Sequence, residues 1–324
     1  MASTERMTNK KSIILLTLAL ASCFSAKPRK QMQLFYRPPG TTVEIYREEP
    51  VSLGINVYPP PPGPIRGAVI FVHGGGWMMP GTDLPLFEDW EQPLKDAGLQ
   101  AFSIEHRTAP EYRGRELVED CAQAVRYVHQ NAARFKIPEE KIALIGFSSG
   151  GHLSVMTALT LTKQDPALGV RQASYLKAVV SFYAPLDLEE LAKTGGPEIR
   201  TILANYLPIK NPGEEGDESK QRAMRMRSMA DFSQDSFLKR TLYDISPIEN
   251  IHPAMAPTFL IHGDSDSLIP FMQSVQFYRR AYAAGAPVAF LGVPGAEHNF
   301  QQSRKPYARQ AEAAAIQFIL QHLQ

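Results

Sequence analysis

Six predominantly apolar runs without a polar alternation recur along this chain with helical stretches between them, and that succession confines the fold more than any other feature. The runs are Ala68–Val72, Leu99–Ile104, Ile142–Ile145, Ala178–Phe182, Thr258–Ile261 and Val288–Val293. A strand with one wet face alternates apolar and polar residues, whereas a run without alternation suits a strand buried on both faces. Leu84–Ala97, Glu116–Phe135, Gly150–Lys163, Ser274–Ala284 and Arg309–Leu323 carry apolar residues at helical spacing, in the connections where crossover helices belong. The pattern predicts an α/β fold: a mostly parallel central sheet with helices on both faces. Thr41–Arg47 and Val51–Tyr58 do alternate, and they stop at the proline-rich stretch 59–64, so they read as an antiparallel edge pair.

With 44% apolar residues in 324, the chain has enough material for a large core. Thirty-four basic and 33 acidic side chains leave a formal net charge of +1, which gives no excess to attract a polyanion, so nucleic acid is not an expected partner. Two cysteines, Cys23 and Cys121, are too few for a disulfide framework. Cys121 falls inside the helical apolar pattern Leu117, Cys121, Val125, Val128 and reads as a buried, inert thiol.

Residues 1–22 read as a signal peptide. Lys10 and Lys11 precede an apolar run from Ile13 to Ala21, about half of the roughly 18 residues that a membrane-spanning helix needs. The run ends in Leu20-Ala21-Ser22-Cys23, which resembles the lipobox of bacterial lipoproteins, whose cysteine is acylated after cleavage. The alternative is ordinary cleavage after Ala21, leaving an exported protein without a lipid. Translation from Met1 or from Met7 fits equally. Residues 23–40 then form a tether and 41–324 one domain, without repeats or a low-complexity linker. From Asp187 to about Tyr243 the alternation lapses, with an acidic Asn-Pro-Gly stretch at 211–218 and then Met224, Met226 and Met229. This insertion at 187–243 reads either as a lid with a soft apolar face or as a surface excursion anchored by its methionines.

Three turns carry the chemistry. Strand Ile142–Ile145 runs into Gly146-Phe147-Ser148-Ser149-Gly150-Gly151-His152, and a helical pattern starts at once. A G-x-S-x-G five-mer arises by chance about once in ten chains of this length, so the strand–turn–helix context is what gives the motif weight. In that context the serine sits on a sharp elbow with its Oγ exposed above a helix N-terminus. His73-Gly74-Gly75-Gly76-Trp77 follows strand Ala68–Val72, and three successive glycines suit a loop whose N–H groups approach a ligand closely. The amides of Gly75 and Gly76, with that of Ser149, form a candidate oxyanion hole, and Gly74 is the alternative donor in the loop. His73 reads as a brace for the loop, and Trp77 either as a wall of the substrate pocket or as core packing. After strand Thr258–Ile261 the turn offers two acids, Asp264 and Asp266, and after Val288–Val293 a loop offers His298.

Together these segments resemble an α/β-hydrolase of the esterase branch that includes hormone-sensitive-lipase-like esterases, acetyl xylan esterases and kynurenine formamidases. The resemblance covers nearly all of 41–324 and rests on His73–Trp77, Arg107-Thr108-Ala109-Pro110-Glu111, Gly146–His152 and His262-Gly263-Asp264-Ser265-Asp266-Ser267-Leu268-Ile269-Pro270, in family order. Phe147 stands where many hormone-sensitive-lipase-like members carry an acid, and His106 where a tyrosine is common, so the acetyl-esterase-like group fits better. The resemblance selects Asp266 over Asp264 as the triad acid and His298 as the general base, with Ser148 as nucleophile. Asp264 is left to bond its own turn, and His129, His252, His262 and His322 are left as structural histidines, with His152 packed at its helix start.

The implied activity is a serine carboxylesterase acting on short acyl esters, acetyl foremost, with acetylated polysaccharide such as xylan as its substrate. No H-E-x-x-H or paired-cysteine motif is present and no G-x-G-x-x-G follows a strand, so neither metal nor cofactor is expected. The competing classes are a serine peptidase of the prolyl-oligopeptidase kind, which usually carries a propeller for which the N-terminal stretch is too short, and a non-catalytic surface binding protein on the same scaffold. The expected location is the cell envelope through a lipid on Cys23, otherwise the secreted or periplasmic space.

Overall fold

The computed structural model describes residues 38–81, 87–163, 174–207, 236–303 and 305–324. The expected signal peptide, most of the tether, Cys23, and the 208–235 part of the insertion with its methionines lie outside the described residues.

Eight strands form one sheet in the order β1-β2-β4-β3-β5-β6-β7-β8. They are β1 (Thr42–Arg47), β2 (Leu53–Val57), β3 (Gly67–Val72), β4 (Leu99–Ile104), β5 (Ile142–Phe147), β6 (Leu176–Phe182), β7 (Thr258–Gly263) and β8 (Val288–Val293). From β4 to β8 every neighbouring pair is parallel. The β1–β2 hairpin joins antiparallel at the β4 edge, as its alternating sequence requires. β3, β4, β5 and β7 are buried along their whole length. β8 departs from this: its run is unbroken, yet five of its six residues are only half-buried, because it is the last strand of the sheet and has a neighbour on one side only.

The helices are α1 (Phe87–Asp96), α2 (Arg115–Gln130), α3 (Ala132–Phe135), α4 (Ser149–Thr162), α5 (Leu188–Thr194), α6 (Pro197–Tyr206), α7 (Ser236–Ile245), α8 (Met272–Ala283) and α9 (Pro306–His322). The single helix expected over 116–135 is two, divided at Asn131, whose φ of −103° and ψ of 14° leave the helical region while its amide and its side-chain Nδ2 both bond the Tyr127 carbonyl. Trp90 and Leu94 of α1 and Ala308, Ala311, Ala315 and Ile319 of α9 cover one sheet face with Val69, Phe71, Ile145, Val180 and Ile261. α2 and α4 pack together, and α4 lies against β5 and β6. Cys121 is buried on α2, and burial pushes its thiol well above its ordinary pKa, consistent with an inert side chain. Among the described residues no helix is long and apolar enough to cross a membrane. The part of the 187–243 stretch that is described forms α5, α6 and α7.

Candidate active site

β5 extends through Phe147, so Ser148 is the first residue off the strand and α4 begins with the next one. A chain that reverses from strand to helix within one residue needs an unusual backbone, and Ser148 has φ 53° and ψ −123°. The flanking glycines are demanded by contact. A Cβ on Gly146 would lie 2.2 Å from the Gly150 carbonyl oxygen, and one on Gly150 would lie 2.2 Å from the Val72 oxygen and 2.3 Å from the His73 oxygen. The elbow is therefore locked between its own helix and the end of β3. Phe147 turns into the α1/α9 face of the core, stacked on Phe71 and Phe182.

His298 reaches the same point from the loop after β8. Its Nε2 is 3.1 Å from Ser148 Oγ and its Nδ1 is 2.7 Å from Asp266 Oδ2. The carboxylate can only accept, so Nδ1 carries the proton and Nε2 presents a lone pair to the serine hydroxyl. Asp266 is fully buried at its side chain. Its Oδ1 accepts from the amides of Leu268 at 2.9 Å and Ile269 at 2.8 Å. Burial pushes its pKa up, but the hydrogen bonds and charges of His262 and His298 outweigh that and hold it well below the usual carboxylate range. The structure thus brings Ser148, Asp266 and His298 together. Asp264 differs from expectation: instead of bonding its own turn alone, its Oδ1 also accepts from the Gly295 amide at 2.7 Å and ties the acid turn to the histidine loop.

The glycine loop lies beside the elbow. Gly75 and Gly76 take φ values of 116° and 60°, and among the described residues the amides of Gly75, Gly76 and Ser149 have no protein acceptor. His73 braces the loop through Nδ1 to the Gly74 carbonyl at 2.8 Å, and its ring stacks on His106 at 4.2 Å. Burial, followed by the charge of His106, lowers the pKa of His73 to about 3, so it stays neutral. Of the two readings of Trp77 the structure takes packing. The residue is 3% exposed, its indole stacks on Tyr206 of α6 at 4.1 Å, and its Nε1–H donates to His152 Nδ1 at 3.3 Å. Substrate contact by Trp77 is therefore corrected to support beneath the loop. Its carbonyl accepts from the Ala109 amide at 2.8 Å, which links the 107–111 segment to the glycine loop, while Arg107 is held by the buried Asp120.

Three histidines set aside as structural are so: His129 bonds the Glu139 carbonyl, His252 that of Leu159 and His322 that of Phe318. His262 is the exception. Its Nε2 is 3.2 Å from Asp266 Oδ2, a contact that no spacing rule signalled.

The chain matches the model of the BD-FAE family over residues 56–281. The chain belongs to the BD-FAE family. Among curated relatives, esterase LipC of Mycobacterium tuberculosis is 28% identical over 264 residues, covering 79% of this chain and 59% of that protein. Esterase LipQ of the same organism is 24% identical over 265 residues, 80% of this chain and 56% of its own. The BD-FAE chain thus spans a little over half the length of these relatives. Among solved structures, the propionate-bound esterase Est2 of Thermogutta terrifontis superposes with a TM-score of 0.61 at 22% identity, covering 87% of this chain and 94% of that one. A truncated carbohydrate esterase from gut microbiota superposes with a TM-score of 0.61 at 24% identity, over 87% and 95%. At those identities the likeness is one of fold, and the fold of this BD-FAE member is the α/β-hydrolase fold.

Proposed function

We propose that this chain is a serine carboxylesterase that removes small acyl groups, acetyl foremost, by two-step acyl transfer. The observation that carries the reading is the relay from Ser148 Oγ through His298 to Asp266, at 3.1 Å and 2.7 Å. In this reading His298 takes the Ser148 proton as Oγ attacks the ester carbonyl, and Asp266 holds the imidazole tautomer and faces the imidazolium that forms. The amides of Gly75, Gly76 and Ser149 receive the oxyanion. His298 then returns the proton to the leaving alcohol, and water repeats the sequence on the acyl-enzyme. Met79 and Ile202 stand where a side chain on Gly75 or Gly76 would have to go, so the loop keeps its glycines and its free amides. Membership of the family and the esterase names of the relatives support the reaction class.

The natural substrate in this proposal is acetylated polysaccharide such as xylan, met outside the cytoplasm by an enzyme anchored through a lipid on Cys23. The test is hydrolysis of 4-nitrophenyl acetate, its octanoate and a proline-amide peptide by wild type and Ser148→Ala, followed by acetate release from acetylated xylan. Acetate turnover abolished in the variant is the expected result; turnover of the peptide alone, or of nothing, refutes the reading. Cys23→Ser is expected to move the protein from the membrane fraction to the soluble one, and unchanged partition refutes the anchor.

A further inference from the structure

The acid turn holds a second histidine that the acyl-transfer scheme does not use. His262, next to the last residue of β7, is fully buried. Its Nδ1 is 2.8 Å from Ser274 Oγ on α8, and its Nε2 is 3.1 Å from the Ile269 carbonyl and 3.2 Å from Asp266 Oδ2. Both groups facing Nε2 only accept, so that nitrogen carries a proton and shares it between them. In the neutral ring the Ser274 hydroxyl then donates to Nδ1 and fixes this tautomer. Asp266 accordingly sits among four donors: two turn amides on Oδ1, and His298 with His262 on Oδ2. A carboxylate restrained by the turn alone could still pivot about its bond to Cβ. The second contact on Oδ2, delivered from the strand, opposes that pivot.

We infer that His262 is a positioning residue of the triad, whose Nε2–H bond to Asp266 Oδ2 fixes the carboxylate against His298 and limits the basicity that the carboxylate confers on it. The inference rests on the esterase reading above. Without the donor, more of the carboxylate charge faces His298 and stabilises its imidazolium further. Among the described residues the other titratable groups around the acid turn and the histidine loop include Tyr183, whose ring meets His298 at 4.7 Å, Glu297, whose Oε2 takes the Ser267 hydroxyl, and Asp264, whose Oδ1 takes the Gly295 amide; all are unchanged in every variant compared.

The experiment compares the pH profile of kcat/KM on 4-nitrophenyl acetate for wild type, His262→Leu, His262→Gln and Ser148→Ala. Gln carries an amide nitrogen in the place of Nε2, whereas Leu carries none. His262→Leu is expected to lose about tenfold in plateau kcat and to shift the acid limb upward by about half a pH unit, with His262→Gln restoring most of both. An acid limb that stays where it is in His262→Leu, with Gln no better than Leu, overturns the inference while leaving the esterase reading intact. Activity in Ser148→Ala removes that reading and the inference with it. Should His262→Leu not fold, ring-nitrogen NMR of the wild-type protein decides: a proton on His262 Nε2 supports the inference, and a neutral ring protonated at Nδ1 overturns it.

Discussion

Gly150→Ala tests the claim that the elbow is locked by backbone contact. The new Cβ would stand 2.2 Å from the Val72 oxygen and 2.3 Å from the His73 oxygen, where such contacts essentially never fall under 3.0 Å. The start of α4 and the end of β3 must therefore part by at least 3.0 − 2.2 = 0.8 Å. No rotamer change relieves this, because both obstacles are main chain. Val72 is moreover held in register opposite Gly146 of β5, so moving it disturbs the sheet. Overpacking of this kind costs about 3 kcal/mol, the upper end of the usual range, because the obstruction is rigid. At about 2–4 °C per kcal/mol in a domain of this size, the melting temperature falls by about 6–12 °C. The same displacement carries His73 and the glycine loop away from Ser148, and a misplacement approaching 1 Å costs on the order of a hundredfold in rate. Gly151→Ala is the control: its Cβ would meet Ser181 Oγ at 2.8 Å and Ala184 Cβ at 2.9 Å, a much smaller shortfall. Calorimetry and 4-nitrophenyl acetate hydrolysis on the three proteins measure both effects. A Gly150→Ala protein that melts within 2 °C of wild type and keeps half its kcat would refute the reasoning.

Asp266→Asn keeps the shape of the turn but lets the side chain donate to His298 Nδ1, which favours the wrong tautomer; kcat falls by about 10⁴ with the melting temperature little changed, and a fall under tenfold in steady-state assays counts against Asp266 as the acid. Trp77→Phe loses the bond to His152 and part of the stack on Tyr206, so it lowers stability by about 1–3 kcal/mol with KM nearly constant; a tenfold rise in KM at unchanged melting temperature would return the indole to the substrate. Glu312, 7% exposed on α9, has its pKa raised to about 7, first by burial and then by the charge of Asp89. The folded state therefore holds a proton that the unfolded carboxyl, at 4.5, has released, and stability declines as pH rises from 4.5 to 7. Glu312→Gln melts higher than wild type at pH 8 and the gain vanishes by about pH 4; thermal scans at the two pH values check it, and no gain at pH 8 refutes it.

What the sequence makes legible here follows from how local the cause is. β3, β4, β5 and β7 announce themselves because burial on both faces favours apolar residues at successive positions, the few polar ones such as Gln100, Ser103 and His262 being buried and hydrogen-bonded, and the elbow does because Gly146 and Gly150 are required by contacts within one strand–turn–helix unit and its immediate neighbour. The exposure of β8 was not legible, since an edge strand and an interior one can share a sequence and differ only in what lies beside them. Trp77 was ambiguous for the same reason. An indole beside a glycine loop can face ligand or protein, and the choice is made by Tyr206 and His152, which arrive from two other helices.

His262 shows the limit most sharply. Its distance of four residues from Asp266 is visible, but that spacing by itself brings side chains together on a helix, and this segment is the end of a strand followed by a turn. What closes the gap is the turn's return: Asp266 Oδ1 binds the amides of Leu268 and Ile269, and the Ile269 carbonyl then lies against the same His262 nitrogen that reaches Oδ2. The acid is thus fixed by a short closed network within residues 262–269, anchored to α8 through Ser274. Such a network explains why the acid can be carried by a turn, ordinarily the least rigid element of a fold, and still present one oxygen to His298 in a single orientation.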